Sequence, residues 1–110
     1  MNVRIHPRVP VQGLSGDISD GESFYTGVID NISLSGMSIS KLPKTVNSKE
    51  ELLSVMVEGG NRYFKLLLKQ CWEIEDEGDR TRTIGTEIQN SPWLWNEFVL
   101  QCQMQQVTTA

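Results

Sequence analysis

Two arginines near the start of the chain have the chemistry to bind an anion. Arg4 and Arg8 form an R-x-x-x-R pattern around Pro7, and no Asp or Glu occurs between residues 1 and 16. A guanidinium group presents paired donors that match phosphate oxygens or two adjacent acceptors on a purine edge. Proline disfavours helix and biases the residue before it toward extended backbone, so we expect both arginines on an extended arm. We therefore expect a small anionic ligand here, although the formal net charge of the chain is −4.

A second pattern, Asn31-x-Ser33-x-x-Gly36, follows about two dozen residues later. The amide oxygen of Asn31 can accept a hydrogen bond, and the hydroxyl of Ser33 can contact a base or a phosphate oxygen. Gly36 lacks a Cβ, which permits positive φ or the close approach of a ligand. A plain turn between two strands, with local side-chain bonds to the backbone, explains the same residues. The two interpretations are compatible, because such a turn would also position the polar groups for a ligand.

In this order and separation, the two patterns resemble the signature of PilZ domains, bacterial modules that bind the second messenger cyclic di-GMP. The resemblance covers essentially the whole chain and implies a six-stranded β-barrel with a terminal helix. It implies that the arm closes over the barrel and holds the ligand, which has two phosphates and two guanines, by five residues: Arg4, Arg8, Asn31, Ser33 and Gly36. The chain departs from the family's later G-x-x-F pattern, since it has Gly85-x-x-Ile88. Val3 precedes the first arginine where a further basic residue would suit a stacked ligand pair, which favours one bound ligand molecule.

Composition narrows the class of protein. A chain of 110 residues with 38% hydrophobic residues forms one domain with a modest core. Its acidic balance argues against nucleic acid polymers and against anionic membrane surfaces as partners. Cys71 and Cys102 are remote from each other and His6 is the single histidine, so we expect no metal, no cofactor and no catalytic site. No leader or membrane-spanning run is present, which predicts a cytoplasmic protein without membrane insertion. The oligomeric state stays open.

The pattern of elements predicts a flexible arm at 1–8, a barrel at 9–90 and a helix at 91–106. A short strand follows from Val9, and residues 13–22 are expected to form a loop or the end of a hairpin. Strands are expected at 24–29, 37–40, 52–57 and 81–89. In the stretch between two turns at 58–61 and 75–79, five apolar residues are expected on one strand face: Phe64, Leu66, Leu68, Trp72 and Ile74. Ser91 is the expected N-cap, with Pro92 at the first helical position. Leu94, Phe98 and Cys102 recur along the helix, with Trp95 and Val99 beside them.

These observations predict an all-β domain, a small six-stranded antiparallel β-barrel capped by a C-terminal α-helix. The tryptophans are expected to pack in the core or under the helix rather than to stack on a base, and an exposed Trp93 or Trp95 would indicate a partner surface. The first functional hypothesis is a cyclic di-GMP receptor that changes the position of its arm and signals to an unidentified protein target. The alternative is a PilZ-like adaptor that binds proteins but no nucleotide.

Overall fold

A closed β-barrel forms the body of the protein. The computed structural model describes residues 7–44 and 52–108, with side chains as far as residue 105. Within these residues there are seven strands and one helix, in the following order: β1 (Val9–Pro10), β2 (Ser15–Ser19), β3 (Phe24–Ile32), β4 (Gly36–Pro43), β5 (Leu53–Gly59), β6 (Arg62–Asp76), β7 (Thr81–Ile88) and α1 (Trp93–Thr108). The antiparallel order β3-β2-β5-β6-β7-β4 closes by pairing β4 with β3, and β1 is an extra strand beside β3. This confirms the predicted six-stranded barrel with a C-terminal helix.

The barrel interior is filled by aliphatic side chains that alternate along the strands, as the period of two predicts. Ile18, Ile39, Leu66 and Ile84, from four different strands, are completely buried. The two-residue connection between β5 and β6 confirms the hairpin expected at 58–61, because Gly59 pairs with Arg62. Of the polar connection expected at 44–51, residues 45–51 lie outside the described residues.

The loop or hairpin end expected at 13–22 is wrong for residues 15–19, which form β2, and right for its last part, because the β2–β3 hairpin turns at 20–23. Gly16 and Ile18 point inward on this strand, which pairs with β3 on one side and β5 on the other. Gly, Ser and Asp are uncommon in strands, so composition indicated a loop. The strand is nevertheless central in the barrel, and a Cβ on Gly16 would lie only 3.2 Å from the side chain of Val55. A residue without a side chain suits this crowded position.

The expected apolar face of β6 is right for its first half and wrong for its second. Phe64, Leu66 and Leu68 are buried, but the register with β7 shifts between Gln70 and Trp72, so that Cys71 is an extra residue. A β-bulge of this kind reverses which side chains face inward. Trp72 and Ile74 therefore lie on the outside of the barrel, 36% and 63% exposed.

On the inner side of this irregular region Arg82 and Glu73 form a partly buried ion pair. Nη1 of Arg82 donates to a carboxylate oxygen of Glu73 at 2.7 Å, and only 8% of the Arg82 side chain is exposed. The acidic residues at 73–79 therefore lie only partly in the solvated turn that the sequence predicted. The solvated part comprises the end of β6, at Glu75 and Asp76, and the connection at 77–80.

Helix α1 covers one end of the barrel. Trp95 and Val99 are fully buried, with Phe98 and Cys102 packed beside them, whereas Leu94 is exposed and lies off this face. The first i to i+4 backbone bond runs from Asn96 to the carbonyl of Pro92, so the cap falls one residue after the expected Ser91. No helix in the described residues is long and apolar enough to span a membrane.

Candidate ligand-binding site

The chain segment that carries Arg8 is anchored to the strand that carries Asn31. Val9 pairs with Ile32 and Pro10 with Asn31, as β1 adds to the edge of β3. This register places Arg8 beside the end of β3, where its Nη1 donates a 2.9 Å hydrogen bond to Oδ1 of Asn31. Both side chains are half-buried. The structure therefore brings together the second arginine of the first pattern and the first residue of the second pattern.

A β-bulge in β3 directs the Asn31 side chain outward. Ile29 pairs with Ile39 but Asn31 pairs with Ser38, so Asp30 is an extra residue in β3. Without this insertion, the alternation that buries Ile29 would also turn residue 31 toward the core. Asp30 itself accepts a 3.0 Å hydrogen bond from the hydroxyl of Ser40. The bulge thus presents the amide of Asn31 on the barrel exterior, and its oxygen has a second lone pair beyond the one that Arg8 uses.

Ser33 organises the turn between β3 and β4 from inside. Its side chain is buried, and its hydroxyl oxygen accepts hydrogen bonds from the backbone N–H groups of Ser35 and Gly36 at 3.2 and 3.0 Å. Its own backbone N–H donates to the carbonyl of Gly36 at 2.8 Å. These bonds are those of the plain turn considered from the sequence. They leave the hydroxyl facing the turn rather than the solvent, and they fix the backbone just after Asn31.

Gly36 is required by the neighbouring strand. A Cβ at this position would lie 2.2 Å from the backbone carbonyl oxygen of Thr86 on β7, far inside van der Waals contact. Gly36 does not have positive φ, so the turn conformation is not what demands glycine. Its absent side chain instead lets β4 approach β7 closely at the start of their pairing. Gly36 therefore supports the site through the barrel wall.

The turn is also attached to helix α1. The indole N–H of Trp95 donates to the carbonyl of Ser33 at 3.3 Å, and the hydroxyl of Ser91 donates to the carbonyl of Leu34 at 3.3 Å. In addition, the backbone N–H of Ile88 donates to the carbonyl of Ser35 at 2.8 Å. Hydrogen bonds to the Ser33 hydroxyl, from β7 and from helix α1 therefore fix the conformation of the turn.

A row of outward-facing residues leads from Asn31 across three strand junctions to Trp72. Asn31 pairs with Ser38, Ser38 with Gly85, and Gly85 with Trp72, so all four belong to the outer face at one level, and we call them the outer row. Ser38 and Gly85 are nevertheless buried. The row spans about 14 Å, three times the strand separation. The Trp72 ring lies directly over Gly85, so that a Cβ on that glycine would be only 2.0 Å from the ring. The ring thus reaches back along the row toward Arg8.

Sequence reasoning assigned Trp72 to the core and missed this position. The ring is 36% exposed, so it offers part of its surface outside the barrel wall. An indole ring can stack on any nucleobase. The Cys71 bulge that moves Trp72 outward depends on pairing with β7, and the period of two in the sequence carried no sign of it.

A separate groove of about 520 Å³ lies away from these residues, between residues 10–14, the β5–β6 turn and α1. Its charged residue is Arg62, which donates to Gln101 at 3.0 Å and lies over the ring of Phe98. The Arg62 guanidinium is therefore already engaged. None of the four motif residues that the structure describes lines this groove, so we place the candidate site on the outer row instead.

Of the five predicted contact residues, four lie along one stretch of the barrel exterior and its supporting turn. Arg8 and Asn31 are outward and bonded to each other, whereas Ser33 and Gly36 are buried behind them. Arg4 lies outside the described residues. Direct contact of these residues with a ligand stays a prediction.

Comparison with solved structures shows the same fold in three other proteins. Over 98% of this chain, the inhibitor of motility MotI/DgrA of Bacillus subtilis is similar with a TM-score of 0.76 and 19% identity. The PlzA protein of Borreliella burgdorferi, in complex with c-di-GMP, is similar over 93% with a TM-score of 0.71 and 14% identity. The PilZ domain with c-di-GMP of YcgR from Escherichia coli is similar over 98% with a TM-score of 0.70 and 12% identity.

The chain spans 53% and 52% of the first two proteins but 97% of the isolated YcgR domain. No protein-family model matches the chain, and no curated protein does. The fold is that of a PilZ-like domain, as the sequence patterns predicted.

Proposed function

We propose that this domain is a receptor for cyclic di-GMP and that it binds the ligand on the outer row between Arg8 and Trp72. The observation that carries the proposal is the hydrogen bond between Arg8 and Asn31, which joins the two motifs on the barrel exterior. The PilZ-like fold supports it, since two of the similar structures hold c-di-GMP. The domain catalyses no reaction in this proposal. Its output is a changed surface that a protein target recognises.

Each end of the row suits a different part of the ligand. The Arg8 fork matches the O6 and N7 acceptors of a guanine, or a phosphate, and Asn31 holds the guanidinium in place. At the other end, the Trp72 ring provides a surface for a second base to stack. Between them Ser38 is buried and the Trp72 ring covers Gly85, so the ligand would contact the ring and the Arg8–Asn31 pair. Ser33 and Gly36 act by shaping the wall behind the ligand.

The test is isothermal titration calorimetry of the folded protein with cyclic di-GMP, with GMP as the comparison ligand. A receptor that uses both ends of the row will bind the cyclic dinucleotide in the micromolar range or tighter and the mononucleotide much more weakly. Binding of both ligands with equal affinity would contradict the two-ended site.

The competing adaptor function predicts a different outcome in the same titration. An adaptor that no longer binds nucleotide would release no heat at several hundred micromolar ligand while its thermal unfolding stayed cooperative. Arg8 and Asn31 in hydrogen-bonding contact favour the receptor, because a domain that had lost the ligand has no need to keep both side chains together on its exterior.

A further inference from the structure

Helix α1 is apolar on two opposite faces. Trp95 and Val99 are fully buried against the barrel, yet Trp93, Leu100 and Met104 are 73%, 48% and 68% exposed. At 100° per residue, the mean direction of the second group is about 140° away from that of the first. A surface helix of a globular domain normally has one apolar face and one polar face. The exposed Trp93 meets the condition set from the sequence for a partner surface.

The outward residues follow the spacing of a coiled-coil seam. Four residues separated by four, three and four positions form what we call the outer stripe: Trp93, Glu97, Leu100 and Met104. This is the alternation of a and d positions in a heptad repeat, in which the stripe packs against another helix. The four positions that flank the stripe are uncharged: Leu94, Asn96, Gln101 and Gln103. In coiled coils the flanking charges set partner choice, and here none opposes self-pairing.

We propose that the outer stripe packs against the outer stripe of a second copy of this chain. The net charge of −4 makes two copies repel each other across most of their surface. Helix α1 is the exception, because Glu97 is its one charged residue between Trp93 and Thr108. Two acidic copies therefore meet with least repulsion through this helix, where they also bury the exposed side chains of Trp93, Leu100 and Met104.

The position of Glu97 sets the orientation of the pair. A parallel pair would bring the two Glu97 side chains face to face at the same level of the seam. An antiparallel pair centred on Leu100 places Glu97 opposite Gln103 of the other copy, which separates the two carboxylates by about 9 Å along the axis. Like charges directly opposed are destabilising, so the antiparallel arrangement is the expected one.

Sedimentation velocity of the whole chain tests this proposal at protein concentrations from about 5 to about 300 µM, the range in which a short helix pair associates. The wild-type protein is expected to shift from monomer to dimer across this range. Leu100→Glu is expected to weaken the dimer by about 30-fold or more, because it places a charge at the centre of the seam. Glu97→Leu is expected to strengthen it by about tenfold, because it makes the stripe apolar throughout.

Phe24→Glu is the matched control, since Phe24 is 81% exposed on the barrel and the change adds the same charge. It is expected to leave the dimer constant unchanged. Each variant is checked for a wild-type unfolding midpoint. A wild-type protein that stays monomeric at the highest concentration would overturn the proposal, even if the stripe then binds a different protein. Dimerisation that survives Leu100→Glu, or that fails in Phe24→Glu, would overturn it too, because the contact would then lie elsewhere.

Discussion

Replacing Arg8 by alanine is expected to remove most of the affinity for cyclic di-GMP while leaving the fold intact. The Arg8 side chain and its hydrogen bond to Asn31 are only partly buried, so we expect the loss of this bond to cost on the order of 1 kcal/mol of stability. Toward an anionic ligand, a lost charge-assisted contact costs about 1.5–3 kcal/mol. This corresponds to a dissociation constant raised about 10- to 150-fold, which calorimetric titration measures directly. Arg8→Lys keeps the charge but not the fork, and it should fall between wild type and alanine.

Arg80→Ala is the control for this experiment. Arg80 is exposed at the β6–β7 connection, so its removal takes away the same charge without touching the outer row. We expect its effect to be less than about threefold, because an exposed distant charge is screened by salt. Two results would refute the reasoning. Either Arg8→Ala binds within threefold of wild type, or Arg80→Ala weakens binding as much as Arg8→Ala does, which would indicate only general electrostatic attraction.

Further predictions concern the wall, the stacking surface and a peripheral ion pair. Gly36→Ala is expected to lower the free energy of unfolding by about 1–3 kcal/mol in urea denaturation, because the added Cβ meets a backbone oxygen. Gly78→Ala is the control and should cost little, because its Cβ meets only a side-chain atom at 3.2 Å. Trp72→Ala is expected to weaken cyclic di-GMP binding by about 1–3 kcal/mol in calorimetry, with Trp72→Phe retaining most of the affinity; equal affinity in all three proteins would remove Trp72 from the site. The Lys41 ammonium, 2.6 Å from Asp79, is the main cause that lowers the pKa of Asp79 from 3.8 to about 2. This contribution to stability is present above pH 3.8 and is lost as pH falls toward 2, so Asp79→Asn should flatten the fall of the urea midpoint between pH 4 and pH 2; an unchanged pH profile would contradict it.

The sequence predicted the features that depend on local pattern. The alternation of Phe64, Leu66 and Leu68 located a strand, and the clustering of Gly59, Gly60 and Asn61 located a tight turn. The two motifs predicted residues that lie at one end of the candidate site. All these features depend on residues that are close together in the chain, where side-chain period and turn chemistry act directly.

The features that the sequence did not predict depend on pairing between distant strands. The bulges at Asp30 and Cys71 are defined by register with β4 and β7, and they decide that Asn31 and Trp72 face outward. The need for Gly36 comes from Thr86, fifty residues away in the chain. The inward role of Ser33 follows from a turn that closes on the serine hydroxyl. In each case the residue or its motif could be recognised in the sequence, but the contact that determines its role forms only in the folded barrel.

The most direct test of the central claim is an NMR titration of isotope-labelled protein with cyclic di-GMP, because it reports where the ligand lies as well as whether it binds. The proposed site predicts that the largest shifts occur at the amides of Asn31 and Gly85 and at the indole N–H of Trp72, at the two ends and the middle of one row. Shifts concentrated around Arg62 and Phe98 in the groove beside α1, or no shifts at a large excess of ligand, would contradict it.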